Sequence, residues 1–182
     1  MKQPAYSLRQ ALPGEADKVS RLIREAMLTY SKESGISPDI LESMHESVES
    51  VAYRIENNYC LCLFDGDNPE ATITLSICDT PLKYSFSEKT EEYLSNFQKA
   101  VYISRFAVSD KLRGTGLGIH LIQQASEFAN HNKANVLLLH TAKSNKIMTA
   151  FYENRGFEII DIESSRHYER ALFGMKVKRI NK

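Results

Sequence analysis

No charge of either sign predominates in the chain. Across 182 residues, 23 lysines and arginines balance 23 aspartates and glutamates. A protein that lives on nucleic acid needs surplus cations to neutralise phosphates, so that class of partner is not expected. Cysteine is scarce, with Cys60, Cys62 and Cys78 the only three. The number is odd and the spacing makes no disulfide framework, which points to reduced thiols in a cytosol. The Cys and His residues also lack zinc-like spacing, so no metal site is expected. No stretch approaches the roughly 18 apolar residues of a membrane span. The N-terminal "MKQPAYSLRQALPGEAD" has no apolar signal core. A cytoplasmic protein without a membrane partner is therefore expected. Neither internal repeats nor low-complexity tracts occur.

The remaining composition, 42% hydrophobic and 25% charged, suits a soluble globular protein. The length suits one domain over residues 1–182 with its own core. "YSLRQA" alternates as a first strand. "PGEADKVSRLIREAMLTYSKESG" carries Val19, Leu22, Ile23, Ala26 and Met27 on one helical stripe. Ser37-Pro38 opens a second helical stretch over 37–58, as a cap followed by proline at the first position. Strand, turn and strand follow in "YCLCLFDGDNPEATITLSICD". Residues 80–100 are an irregular polar insertion with a short helix near 88–98, either a lid beside a ligand or decoration. After it come a strand at 100–109, a helix to about His131, and the apolar strand "ANVLLLHTA". The short helix "SNKIMTAFYENRG" and two closing strands complete a mixed α/β order, with helices covering a sheet.

Glycine is sparse, eight in all, yet Gly114, Gly116 and Gly118 crowd into five positions where a helix begins. Glycine disfavours helix, so the crowding needs a reason. Leu117, Leu121, Ile122, Ala125, Phe128 and Ala129 mark the buried face of the helix that follows. The first amides of that helix have no partner within it. Residues without a Cβ let a ligand approach those amides, and the positive end of the helix dipole favours an anion such as phosphate. Arg113 stands just before the glycines and adds a cation. The plainer reading is a tight strand-to-helix turn. A P-loop is ruled out because no G-x-x-x-x-G-K-[ST] run exists. The dinucleotide fingerprint fails too: the sixth position is Ile119 counted from Gly114 and Leu121 counted from Gly116.

The run from Arg113 to Gly118 does match R-x-x-G-x-G. It resembles the acetyl-CoA-binding motif of the GNAT (Gcn5-related N-acetyltransferase) superfamily. The likeness extends through "ISRFAVSDKLRGTGLGIHLIQQASEFA" and "VLLLHTAKSNKIMTAFYENRGFE", including N-x-x-x-x-x-F-Y-E-x-x-G-F from Asn145 to Phe157. It covers roughly residues 100 to 160 and rests on two separated motifs in the right order. The resemblance implies a mostly antiparallel sheet of about six to seven strands with one splayed parallel pair, flanked by about four helices.

It further implies acyl transfer from acetyl-CoA, as cosubstrate, to the amine of a small molecule or peptide. Gly114, Thr115, Gly116, Leu117 and Gly118, with Arg113, would hold the pyrophosphate. The backbone of Phe106, Ala107 and Val108 would receive pantetheine as a pseudo-strand, and Asn145 would reach the same arm. Asn145 can equally act as a helix cap. Tyr152 matches the tyrosine that protonates the departing thiolate; its alternative is a core tyrosine beside Phe151. Where some members carry a glutamate on the fourth strand, this chain has Tyr102, and no Asp or Glu lies between 101 and 109. Deprotonation would then fall to a water chain, to His140, or to an acid of the 80–100 insertion. A coenzyme-binding regulatory module of the same fold, without turnover, is the alternative reading. A weaker third is an ATP-binding protein. Members of the family often pair, so a homodimer is left open.

Overall fold

The structure is a computed structural model that describes residues 6–78, 87–164 and 166–178. Seven strands form one mixed sheet in the order β1-β2-β3-β4-β5-β7-β6. Six α-helices accompany them among the described residues. All pairings with a described register are antiparallel except β4 with β5. The chain groups into two compact units.

The first unit takes in residues up to 32, then 36–75 and 104–121. It begins with β1 (Tyr6–Gln10), which pairs with β2 (Tyr59–Asp65), itself paired with β3 (Asn68–Cys78) through the Gly66 turn. Helix α1 (Ala16–Ser34) follows β1 and turns the expected stripe inward: Val19, Leu22 and Ile23 are all at most 4% exposed. The core is made by this stripe with Val51, Ile55, Cys60, Cys62, Phe64 and Ala107. Each large apolar side chain so buried contributes about 1.5–3 kcal/mol. All three cysteines of the chain are free and buried. Cys62 donates to Thr72 Oγ1 at 3.2 Å.

The stretch expected as one helix over 37–58 is broken. A 3-10 turn spans Pro38–Ile40, α2 is a single turn at Glu42–His45, and α3 runs Val48–Asn57. The break falls at Glu46, whose backbone is extended with φ −65° and ψ 129°. Ser47 then caps α3 by accepting from the Ser50 amide at 3.2 Å. Apolar periodicity continues across this gap, so the pattern alone reads as unbroken; at the break the side chain of Glu46 pairs with Arg54 and Arg105.

The second unit holds residues 33–35, 76–103 and 122 onward. Strand β4 (Ala100–Val108) pairs in parallel with β5 (Val136–Ala142), with Ala100–Ile103 set against Val136–Leu139. β5 also pairs antiparallel with β7 (Arg170–Lys176), and β7 with β6 (Glu158–Glu163). β5 is buried on both faces, Val136 to Leu139 being at most 2% exposed, as a central strand of apolar residues should be. Helix α5 (Leu117–His131) follows the glycine turn, and its Ile122, Ala125 and Ala129 are buried as expected. Of the irregular insertion, 80–86 lie outside the described residues. Its short helix is α4 (Glu88–Leu94), held against β6 because Ser87 and Thr90 hydroxyls both donate to Asp161.

Candidate functional site

In the first unit, the glycine turn is exposed from Arg113 to Gly116. Gly114 and Gly116 have φ of +76° and +87°, a left-handed backbone that side chains disfavour. A Cβ built on either would meet nothing within 4 Å, so the protein itself leaves the mouth of the turn open. The Gly116 carbonyl accepts the His120 amide at 3.1 Å, which makes Gly116 the cap of α5. The amides of the first turn of α5 therefore have no partner within the helix and form the positive end of its dipole. Arg113 does more than add charge. Its Nε donates to the Val108 carbonyl at 3.2 Å and its Nη1 pairs with Asp110 at 2.9 Å, so it ties the turn to the end of β4. The Ser109 amide donates to the Glu70 carbonyl at 2.8 Å. Lys111, beside Glu70 at 2.7 Å, has its pKa raised by that contact. Next to Val108, Ser109 and Asp110, the C-terminal half of α1 closes an open cleft of about 330 Å³. That volume is at the small end of ligand sites.

In the second unit, Asn145 is fully buried and caps α6 (Lys146–Glu153). Its Oδ1 accepts from the Met148 amide at 3.0 Å. Its Nδ2 is buried without a hydrogen-bond partner among the described residues. One turn along the same helix, Thr149 Oγ1 is in the same condition. A buried donor left unmade costs about 1–3 kcal/mol, so a native protein that keeps one invites a ligand acceptor there. Sequence reasoning did not single out Thr149; its only signal is the four-residue spacing from Asn145. Tyr152 follows on this face at 4% exposure. Its ring packs edge-on against Phe151 and Phe157 and tilted against Phe173, with centroids 5.3, 5.6 and 5.7 Å away. The ring is thus a core element, and any chemistry belongs to its hydroxyl. Gly156 stops the helix with φ +85°.

A polar chain crosses the strands of the second unit. Tyr102 on β4 has its hydroxyl 2.7 Å from His140 Nδ1 on β5. His140 Nε2 lies 3.4 Å from Glu163 on β6, and Glu163 pairs with Arg170 on β7. The carboxylate at Nε2 favours a proton there, which leaves Nδ1 to accept from Tyr102. Burial, reinforced by Arg170, pushes the His140 pKa down to about 4 against the pull of Glu163 and Asp161. The unfolded histidine titrates near 6.5, so between these values the unfolded chain binds more protons. Stability is expected to be fully present above pH 6.5 and to fall on acidification toward pH 4, by at most about 1.4 kcal/mol per pH unit from this group. Melting temperature followed from pH 7 to 4.5 checks this: the His140→Gln variant should lose that part of the slope. An identical slope in both proteins would show that His140 is not held neutral. Sequence reasoning reached Tyr102 and His140 but missed Glu163 and Arg170, because their pairing depends on strand register. Glu163 stands directly opposite Arg170 in the β6–β7 ladder.

No group of three or more His, Cys, Asp or Glu is placed to hold a metal among the described residues, and none of their helices is long and apolar enough to cross a membrane.

Among solved structures, the PaiA N-acetyltransferase of Thermoplasma acidophilum in complex with coenzyme A superposes with a TM-score of 0.72 at 16% identity, covering 94% of this chain and 99% of that one. Arabidopsis thaliana NAA60 in complex with a bisubstrate analogue gives 0.70 at 14% identity, over 97% and 100%. The ribosomal-protein-S18-alanine N-acetyltransferase of Escherichia coli gives 0.64 at 12% identity, over 97% of both. At these identities the likeness is one of fold. No relative was found among curated protein sequences. The family profile, however, matches residues 21–157, taking in the glycine turn, β5 and α6. The chain belongs to the Acetyltransferase (GNAT) family.

Proposed function

We propose that the protein transfers an acetyl or similar acyl group from acyl-CoA to a primary amine. The observation that carries this reading is the Asn145 amide: one atom caps α6, and the other is a buried donor with no partner among the described residues. The amide carbonyls of a pantetheine arm are the kind of acceptor that would satisfy it. The exposed left-handed glycines at 114 and 116 support the same ligand, since a diphosphate suits bare amides at a helix start. Arg113, Thr115, Leu117 and Gly118 would complete that grip, and the backbone of Phe106, Ala107 and Val108 would align the thioester. An amide of Val108 donating to the thioester oxygen would stabilise the charge that develops there.

The amine attacks the thioester carbonyl, the carbon–sulfur bond breaks, and the thiolate takes a proton. Tyr152 is the proposed donor, because a phenol stays protonated at neutral pH. The proton lost from the amine nitrogen goes by way of Tyr102 to His140. Burial keeps that imidazole neutral and able to accept, and Glu163 on its other nitrogen shares the charge. With its pKa pushed down to about 4, His140 does not keep the proton: as Nδ1 gains one from Tyr102, the proton on Nε2 passes to the Glu163 carboxylate. Glu88, Glu91 and Glu92 of α4 are exposed.

Incubation with acetyl-CoA and a panel of polyamines, amino acids and peptides tests the reading through thiol release. Amine-dependent release of free coenzyme A, with an acetylated product by mass, is expected. Coenzyme binding with no release across the panel would instead favour a regulatory module. Tighter binding of ATP than of coenzyme A would overturn both.

A further inference from the structure

A backbone irregularity sits in β4, one residue before the proposed pantetheine edge. Arg105 has φ +48°. A residue with a Cβ holds this left-handed conformation within a strand only where its surroundings impose it. The side chain of Arg105 is held by Glu46. Arg105 Nε donates to Glu46 Oε2 at 2.9 Å, and the Glu46 side chain is only 6% exposed. The other carboxylate oxygen pairs with Arg54 of α3 and accepts from Ser50 Oγ at 3.1 Å. The Glu46 carbonyl accepts from Arg24 Nη2 of α1 at 2.9 Å. One residue in the break between α2 and α3 thus joins α1, α3 and β4. Beyond the kink, Ala107 is 6% exposed in the core with α1, α3 and β2, so the strand is gripped on both sides of Phe106.

We infer that Glu46 is a positioning residue for coenzyme binding. Its ion pair holds Arg105 left-handed, and that kink turns the peptide groups of Phe106–Val108 out of ladder register so that they are available to the acyl-CoA arm. The inference rests on the reading that this edge receives pantetheine. It also explains why the helix expected over 37–58 is interrupted where it is: a continuous helix would carry Glu46 away from Arg105.

Glycine adopts φ +48° freely, which gives a test that separates the kink from the charge. Arg105→Ala removes the ion pair and keeps the backbone penalty; Arg105→Gly removes both. Calorimetry with coenzyme A is expected to show about tenfold weaker binding for Arg105→Ala, the size that a strained backbone conformation allows. Arg105→Gly should recover most of that loss. Glu46→Gln should weaken binding similarly, and the Glu46→Gln/Arg105→Gly double variant should bind better than Glu46→Gln alone. With a competent amine, KM for acyl-CoA should rise more than kcat falls in Arg105→Ala. Should Glu46→Gln fail to fold because Arg54 loses its partner, the two Arg105 variants still decide, since they leave the Glu46–Arg54 pair in place. Equal affinities of Arg105→Ala and Arg105→Gly would overturn the inference alone. Absence of coenzyme binding by the unaltered protein would overturn the acyl-CoA reading and this inference with it.

Discussion

Replacing Gly116 with valine is expected to weaken coenzyme A binding by about 100-fold, or roughly 2.8 kcal/mol. Two effects act together. At φ +87° a β-branched residue is strongly disfavoured, so the turn relaxes and rotates the first amides of α5. A side chain that stays in place projects into the mouth of the turn, where the diphosphate would sit. Hydrogen bonds to a charged group are worth about 1.5–3 kcal/mol each, so loss of one or two gives the stated size. The protein offers no steric objection of its own, because a Cβ at Gly116 meets nothing within 4 Å. A melting temperature lowered only slightly, beside a large change in calorimetric affinity, is the signature of a ligand-facing glycine. Unchanged affinity would leave only the tight-turn reading of the motif.

Tyr152→Phe should lower kcat by about 100-fold, the usual scale for removing a positioned proton donor. KM for acyl-CoA should move little, since the ring makes the packing contacts and the hydroxyl alone is deleted. The buried ring, ringed by Phe151, Phe157 and Phe173, makes phenylalanine the informative substitution. Alanine would open a cavity and cost about 3–5 kcal/mol of stability, confusing chemistry with folding. A good leaving group offers a second readout. With a thioester of a more acidic thiol the departing sulfur needs less help, so the deficit of the variant should shrink. A variant as fast as the parent with ordinary acetyl-CoA would remove Tyr152 as the acid.

Much of this was legible along the chain because it is encoded locally. The turn from Arg113 to Gly118, the cap at Asn145 and the stop at Gly156 each depend on a few adjacent residues, and each element lies where its punctuation predicts. The α5 stripe and the β5 run follow from periodicity. The single helix expected over 37–58 failed for the opposite reason. Its apolar spacing persists through the break at Glu46, while the side chain there is held by Arg54 of α3 and by Arg105, 59 residues away. Tyr102 could be noted as standing where relatives carry an acid, but its partnership with His140 requires β4 beside β5 in a particular register.

The sequence by itself determined the family, most of the elements and the glycine turn, since capping, periodicity and missing side chains are properties of neighbours in the chain. Only the tertiary structure decided which polar groups lack partners and which titratable groups meet. The orphan Asn145 donor, the neutral His140 between Tyr102 and Glu163, and the left-handed Arg105 on Glu46 all arise from burial and strand register. Those depend on how distant segments pack, where a low dielectric makes each unpaired or paired polar atom matter.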